Sequence, residues 1–445
     1  MELEAVGDLA LQIILSKLGS ENVGRVACVS KKLQLSASED PLWSKFCSDE
    51  LGLSSPLDPL GDPVPSFKEA YKRWREAFRM YPWPLVKRVK RCWDKIENWL
   101  STNFPEAKAT LRRGASEADL HEVEEVLKVK LPLPTRILYR VHDGQEITDD
   151  EPTARTGRPA GLLGLIGGYA FYGHRVNVYL LPLSQVVLET SHMVRHLGFV
   201  TRSQTIVVAS SHSIREKLFF LNCRNGQLYV GTRNLPIDGE MMPCVPNRLL
   251  KPVHDLKDDP KQDGMLLWLE EHGRRLQSGI IKLREEGKLR SISQYPEEPP
   301  LCTTATTNGI TVRGSAVFVP EFASPQEDEE KYLFSYSIRM SLLPEGCFLN
   351  GNHFTTCQLQ WRHWIIRAND ALVDDVNGEG VIGQFPLLRP GDKEFVYESC
   401  SYQSSSRGSI EGSFTFVPGR LTEPKGSPFR VEVARIPFEL PEYIF

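Results

Sequence analysis

The sequence predicts a multidomain protein, with a small all-α module followed by an α+β domain and an all-β sandwich. Short apolar helical segments fill the first fifty residues, and helices give way to strands between about 96 and 289. After residue 300, strands that alternate polar and apolar residues dominate. The length of 445 residues is typical of two to four domains.

The amino-terminal module, at about 1–50, carries more apolar surface than it can bury. Asp8 can cap a helix over 9–18, and Asp40-Pro41 places a cap before a proline at the first helical position. A helix so short, within so small a module, cannot bury apolar residues that occupy nearly all of its sides. The surplus surface either forms the first layer of a larger helical domain or docks a partner. The apolar residues of the first helix are Leu9, Leu11, Ile13, Ile14, Leu15 and Leu18.

Three stretches of this module resemble an F-box, the module that binds the Skp-type adaptor of a cullin ubiquitin ligase. They are the apolar residues of 9–18, the Val-Ser-Lys sequence at 29–31 with Leu33, and the Asp-Pro-Leu-Trp sequence at 40–43. The resemblance implies that the chain binds the adaptor and, through it, a cullin. The adaptor-binding residues that it implies are Leu9, Ile14, Leu15, Leu18, Val29, Leu33, Pro41, Leu42 and Trp43.

Residues 51–95 are expected to form a linker and helices. Residues 51–65 are rich in Ser, Pro, Gly and Asp, and Ser66 then opens a helix with one aromatic face. The basic run 87–91 is either the solvated face of a helix or a nuclear or nucleic-acid-binding signal. In the first case, the apolar side of that helix is Val86, Val89, Trp93 and Ile96.

The middle domain, expected at 96–289, reads as helices, then a strand meander, then a closing helix. Strands are predicted at 176–183, 206–209, 217–221 and 228–230, with a turn at Asn225-Gly226, a surface loop at 148–159 and a helix at 265–281. This domain resembles the SUKH superfamily, whose members mostly act as binding or immunity modules. The matching segments are 115–117, Leu131-Pro132, Tyr139, 143–145 and 161–164.

After a proline-stiffened linker at 290–307, the sequence predicts a sandwich over 308–440. Phe334, Tyr336, Ile338 and Met340 alternate with polar residues, as in a half-buried antiparallel strand. The glycine-rich stretch 376–386, followed by Pro390-Gly391, resembles the ApaG domain, an immunoglobulin- or fibronectin-like sandwich.

The candidate ligand or substrate site lies in this sandwich. Gly378, Gly380 and Gly383 form a GxGxxG pattern, but Phe385 follows where a dinucleotide-binding fold needs a helix. The glycines either make a tight turn with positive φ or leave bare amides that bind an anion or a peptide carboxylate. Trp361 and Trp364 are an odd number of positions apart in a strand, so one of them should face outward, where aromatic residues often mark binding sites.

Composition and motifs favour a binding protein over an enzyme. The net charge of −4 provides no field for nucleic acid or membrane, and no apolar run is long enough to span a bilayer. Nine scattered cysteines, with no CxxC and no HExxH, predict reduced thiols, no metal and no cofactor. Ser211-His212-Ser213 lacks the setting of a catalytic serine, because neighbours in a strand point to opposite faces.

We therefore expect an intracellular, non-catalytic substrate receptor of a Skp–cullin–F-box ubiquitin ligase, acting in the nucleus or cytoplasm on an unknown protein substrate. The alternative is a binding or scaffold protein, serving no ligase, whose sandwich senses an anionic small molecule or nucleotide.

Overall fold

The structure is a computed structural model, and it describes residues 7–147, 162–171, 173–197, 204–211, 217–250, 262–286 and 289–445. The expected loop at 148–159, together with Gly161, His212 and Ser213, lies outside these residues. A helical amino-terminal region, an α+β middle region and carboxy-terminal β-sheets follow one another, which confirms the predicted fold class. No helix within the described ranges is long and apolar enough to cross a membrane.

Four short helices form the amino-terminal module. The structure corrects both predicted caps. Asp8 lies inside the first turn, with Gly7 at the N-cap, and Asp40 is already helical. The Asp40 carboxylate instead accepts hydrogen bonds from the amides of Phe67 (2.8 Å) and Lys68 (3.4 Å), which begin the next helix. The four helices are α1 (Asp8–Leu18), α2 (Ser20–Val26), α3 (Lys31–Ser36) and α4 (Asp40–Leu51).

Five further helices follow this module in the described chain. The longest, α6, buries Val86, Val89, Trp93 and Ile96, which confirms the apolar side predicted for it. It runs without interruption through the expected boundary at 95/96 and packs against a later helix of the middle domain, so that boundary is wrong. These helices are α5 (Phe67–Ala77), α6 (Trp83–Asn103), α7 (Pro105–Lys108), α8 (Glu117–Leu127) and α9 (Leu133–Val141).

The basic run 87–91 lies on α6, and three of its four basic side chains, Lys87, Arg88 and Lys90, pair with carboxylates of the chain. The Arg88 guanidinium donates to both carboxylate oxygens of Glu270, at 2.7 and 2.6 Å. Lys90 pairs with Asp94 on the next turn. The run therefore lies on a helix, as predicted, but the prediction of a solvated face is wrong for Lys90, which is buried, and only Arg91 of the run is exposed.

An eight-stranded sheet, in the order β6-β5-β4-β3-β2-β1-β8-β7, forms the centre of the middle domain. The β1–β8 pair is parallel and the other pairs are antiparallel. All four predicted strands are present, and Gly226, with φ of 72°, turns between β4 and β5. The elements are β1 (Gly167–Phe171), β2 (His174–Leu180), α10 (Leu183–Leu197), β3 (Thr205–Ser211), β4 (Lys217–Asn222), β5 (Leu228–Gly231), α11 (Leu235–Asp238), β6 (Met241–Pro243), α12 (Gly264–Gln277), β7 (Lys282–Glu286) and β8 (Leu289–Ser293).

The carboxy-terminal sandwich has a four-stranded sheet, β17-β11-β10-β9, and a six-stranded sheet in which β15, β14 and β18 are neighbours. Because β8 belongs to the middle sheet and β9 pairs with β10, the expected limits at 289/290 and 307/308 are wrong. Residues 294–301 lie between β8 and β9. The strands are β9 (Cys302–Thr307), β10 (Ile310–Val319), β11 (Tyr332–Leu342), β12 (Cys347–Leu349), β13 (Asn352–Phe354), β14 (Cys357–Ala368), β15 (Ala371–Glu379), β16 (Leu387–Leu388), β17 (Phe395–Gln403), β18 (Arg407–Arg420), β19 (Glu423–Pro424) and β20 (Phe429–Glu439).

Glu297, a buried carboxylate in the linker, joins the middle domain to the sandwich. It accepts hydrogen bonds from Arg284 of β7 (2.9 Å) and from Arg313 of the sandwich (3.0 Å), and it forms an ion pair with Arg339 of the sandwich (2.6 Å). Burial alone would raise the pKa of Glu297, but the charges of Arg284 and Arg339 outweigh burial and lower the pKa below its usual value. The two domains are therefore joined through an ionised, fully paired group.

Residues that follow β20 form a second connection by packing into the middle domain. The Trp268 indole of α12 donates to the Ile444 carbonyl at 2.7 Å, and its ring stacks on Phe445, with centroids 5.4 Å apart. The buried Lys217 ammonium donates to the Phe445 carbonyl oxygen and, at 2.8 Å, to the Tyr169 hydroxyl. Burial lowers the pKa of Lys217, against the opposing charge of Glu321.

Candidate functional site

The outward side of the amino-terminal helices is apolar and open. On α1, Leu11 and Leu15 are fully buried, whereas Leu9 is 79% exposed and Ile13 is 57% exposed. Leu35 on α3 is 73% exposed. The chain therefore buries some of the apolar side chains of these helices and leaves the others exposed.

Polar contacts hold α1 and α3 side by side, and we call the exposed apolar residues on and next to these two helices the F-box face. Gln12 of α1 donates to the Ser36 carbonyl of α3 at 3.0 Å, and Asp8 lies 3.9 Å from the Lys32 ammonium. The exposed apolar residues on and next to these helices are Leu9, Ile13, Ile14, Leu18, Val29 and Leu35.

The structure corrects four of the nine residues expected to contact the adaptor. Leu15, Leu33, Leu42 and Trp43 are buried in the chain's own core. The Trp43 indole donates to the Ala37 carbonyl at 2.7 Å, and its ring packs against Phe46 and Tyr71. These four side chains belong to the core of the module. They therefore leave almost no surface that a partner could cover.

The other five expected residues, Leu9, Ile14, Leu18, Val29 and Pro41, are at least partly open to solvent, so docking through them stays a prediction. Ile13 and Leu35 are missing from that set although both are exposed. Apolar residues on all sides of 9–18 could have indicated Ile13. Leu35, two residues after Leu33 on a short helix, gave no comparable signal.

Glu50 at the end of α4 fixes the F-box face relative to the next helices. Its carboxylate accepts from Ser20 (2.9 Å), from Tyr71 of α5 (3.1 Å) and from the Trp83 indole of α6 (2.8 Å). Burial alone would raise the pKa of Glu50, but the Trp83 and Ser20 hydrogen bonds and the Lys87 charge lower it. These hydrogen bonds connect the module to α5 and α6.

The glycine-rich loop of the sandwich is a tight turn. Gly378 lies inside β15, opposite Arg362, whereas Gly380 (φ 56°) and Gly383 (φ 73°) turn the chain after it. A Cβ on Gly380 would lie 2.4 Å from the Gln384 carbonyl oxygen. The loop therefore requires the conformational freedom of glycine at Gly380.

Three amides of this loop are already occupied, which argues against the anion-binding alternative. The Gly380 amide donates to the Gln360 carbonyl at 3.0 Å, and Val381 and Gln384 exchange hydrogen bonds of 2.9 and 2.8 Å. An anion would have to compete with these bonds. The structure contradicts the expectation of bare amides at these positions.

Trp361 and Trp364 point to opposite faces of β14, as their odd separation predicts. Trp364 is buried against Phe414, with ring centroids 5.2 Å apart. Trp361 is 38% exposed and lies opposite Glu379 of β15. Trp361 thus remains available for recognition, whereas Trp364 belongs to the core.

The described ranges contain no group of three His, Cys, Asp or Glu side chains that could hold a metal ion. Of the cysteines, Cys28 is exposed, Cys400 is half-buried and the others are buried. Burial raises the pKa of the Cys47 thiol to about 12, so this thiol carries no nucleophilic charge at neutral pH.

The fold and the open helical face together define a multidomain protein whose amino-terminal helical module leaves an apolar side uncovered by the described chain. A family model for the ApaG domain matches residues 323–418, within the sandwich. The sandwich is therefore an ApaG domain, whereas the SUKH resemblance of the middle domain stays a prediction.

Three relatives cover the chain or its sandwich. "F-box protein SKIP16" of Arabidopsis thaliana is 58% identical over 100% of this chain and 100% of its own. "F-box only protein 3" of Homo sapiens is 26% identical over 94% of this chain and 79% of its own. "Protein ApaG" of Nitrosomonas europaea is 32% identical over 30% of this chain and 93% of its own. The chain belongs to the family of F-box proteins that carry an ApaG domain.

Proposed function

We propose that this F-box protein is the substrate-recognition subunit of a Skp–cullin–F-box ubiquitin ligase. The observation that carries the proposal is the F-box face, which leaves large apolar side chains in water although the same helices bury others completely. Covering this surface stabilises a complex by removing apolar area from water. The proposed contact residues are Leu9, Ile13, Ile14, Leu18, Val29, Leu35 and Pro41.

The proposed mechanism is proximity, and the chain itself forms and breaks no covalent bond. The adaptor holds the F-box, while the middle and ApaG domains hold a protein substrate, so that a substrate lysine meets the ubiquitin-loaded partner at raised effective concentration. The Glu50 contacts and the Glu297 contacts support this role. They join the F-box to the middle domain and the middle domain to the sandwich, between adaptor and substrate.

We further propose domain limits that follow the packing: an amino-terminal unit up to about residue 77, because α5 packs against α4, a middle unit over about 83–293 and the ApaG domain from 302. The proposed site of action is inside the cell, in the nucleus or the cytoplasm, without a cofactor.

The test is reconstitution of the full chain with a Skp-type adaptor and a cullin. Ile13→Asp places a charge in the proposed contact surface and should abolish both adaptor pull-down and ubiquitin transfer to a co-purified protein. Leu188→Asp on α10 is the matched control, because Leu188 and Ile13 are both 57% exposed. Equal binding by the two variants would reject the proposal.

A further inference from the structure

The strand β15 leaves one edge of the ApaG domain open. It pairs with β14 along one side, and no other strand of the described chain, which includes all of 302–445, lies along the other. An open edge carries unpaired backbone groups that another extended chain can pair with. A bulge at Val373 interrupts β15, but 374–379 pair in unbroken register with β14, and these six residues are enough for a peptide to align with them.

The strand is exposed on both of its faces, and its exposed residues are partly apolar. Leu372 is 58% exposed and Val373 is 57% exposed, and of the nine residues only Val376 and Gly378 are half-buried. A strand in a sandwich normally buries one face against the facing sheet. The first half of β15 therefore offers apolar side chains as well as an open edge.

The charge of this edge selects the kind of partner. Asp374, Asp375 and Glu379 are all exposed, and the Asp375 carboxylate lies 2.8 Å from Nε2 of His363. Neither Asp374 nor Glu379 has a cation within ion-pair distance among the described residues. The nearby Arg362 guanidinium donates to the Glu379 and Gly380 carbonyls, at 3.1 and 2.9 Å, from the face that it shares with Gly378.

The pairing of β15 with β14 shows which side chains a partner would meet. Trp361 lies opposite Glu379 and Ile365 lies opposite Asp375, so these four share one face. Side chains four positions apart on an added strand would meet Asp375 and Glu379. A lysine or arginine there could pair with a carboxylate and lay its stem or cation on the exposed Trp361 ring.

We propose that the open edge of β15 binds an extended basic segment of a substrate protein as an added β-strand. The proposal adds to the substrate-receptor role the chemistry of the substrate segment and the strand that binds it. Its biological meaning rests on that proposed role. The binding itself is measured without adaptor, so its failure can be told from a failure of the F-box face.

The probe is a fluorescein-labelled peptide as long as β15, with alternating lysine and valine, titrated into the full chain by anisotropy. We expect saturable binding that weakens as salt rises. Replacing Asp374→Asn, Asp375→Asn and Glu379→Gln together should weaken binding roughly tenfold. The matched control replaces Asp328→Asn, Glu329→Gln and Glu330→Gln, three exposed carboxylates in a loop of the same domain, and should leave binding unchanged.

Two further peptides, methylated on the amides of odd or of even positions, test strand addition. An added strand uses alternate amides toward its neighbour, so one methylated peptide should lose binding while the other keeps it. Equal binding by both, equal affinity of the two triple variants, or no saturable binding of the parent peptide would each overturn the proposal.

Discussion

Replacing Ile13 with alanine should separate docking from folding. Fully burying an isoleucine contributes about 1.5–3 kcal/mol, and Ile13 still has 57% of its surface in water. Covering that surface is therefore worth roughly 1–1.5 kcal/mol, and losing most of it should weaken adaptor binding about fivefold to tenfold. Stability should change by no more than about 0.5 kcal/mol, because the side chain packs little in the free chain.

Trp43→Ala should give the opposite result. Trp43 is 9% exposed, contacts two aromatic rings and donates a hydrogen bond to Ala37. Its truncation should cost about 3–5 kcal/mol of folding free energy. Any loss of adaptor binding should follow the fraction of unfolded module.

The assay pairs thermal or urea unfolding of each full-length variant with titration by the adaptor, and Leu188→Ala is the control for removing an exposed aliphatic side chain. The reasoning is refuted if Ile13→Ala leaves adaptor affinity unchanged, or if it lowers stability as much as Trp43→Ala does.

Three other predictions concern the rear domains. Phe445→Ala should cost about 3–5 kcal/mol, because the ring stacks on Trp268; unfolding measured by calorimetry should detect it, and an unchanged transition would contradict the contact. Glu297→Gln should destabilise the chain at neutral pH. Because the pKa of Glu297 in the folded chain lies below its unfolded value, its contribution to the free energy of unfolding is fully present above the unfolded pKa and disappears as pH falls through the folded pKa. Urea unfolding at several pH values should show that the difference in free energy of unfolding between wild type and variant narrows in acid. A difference that stays constant with pH would exclude the ionised carboxylate as the source of this stability. Pyrophosphate titrated into the full chain should give no saturable heat, because the loop amides at Gly380, Val381 and Gln384 are occupied; saturation that Gly380→Val abolishes would instead favour an anion sensor.

The order of domains could be predicted because the spacing of apolar residues along the sequence indicates helix or strand locally. Alternation at Phe334 to Met340 and helical spacing around Trp93 fall on a strand and a helix of the structure, β11 and α6. The expected polar, half-buried face of β11 is wrong, because Ser335, Ser337 and Arg339 are buried as well. The limits between domains could not be predicted in the same way. They depend on which element a segment packs against. Nothing in the local sequence of β8 or β9 indicates that β8 joins the middle sheet whereas β9 joins the sandwich.

For the candidate site, the sequence indicated that some apolar residues of the first helix would stay exposed, but it did not indicate which ones. Leu11 and Leu15 are buried whereas Leu9 and Ile13 are open, a division set by how α1 lies against α3 and α4. A similar limit applies to the glycine-rich loop. Its positive φ angles could be predicted from glycine, but the occupied amides depend on partners at Gln360 and Gln384.

The central claim is that the F-box face is covered by an adaptor, and calorimetric titration of the full chain with a purified Skp-type adaptor at several temperatures tests it most directly. We predict saturable one-to-one binding with a negative heat-capacity change, the mark of apolar surface leaving water, and loss of binding in Leu9→Asp with Ile13→Asp. Absence of saturable heat, or binding that this double variant retains, would contradict the account.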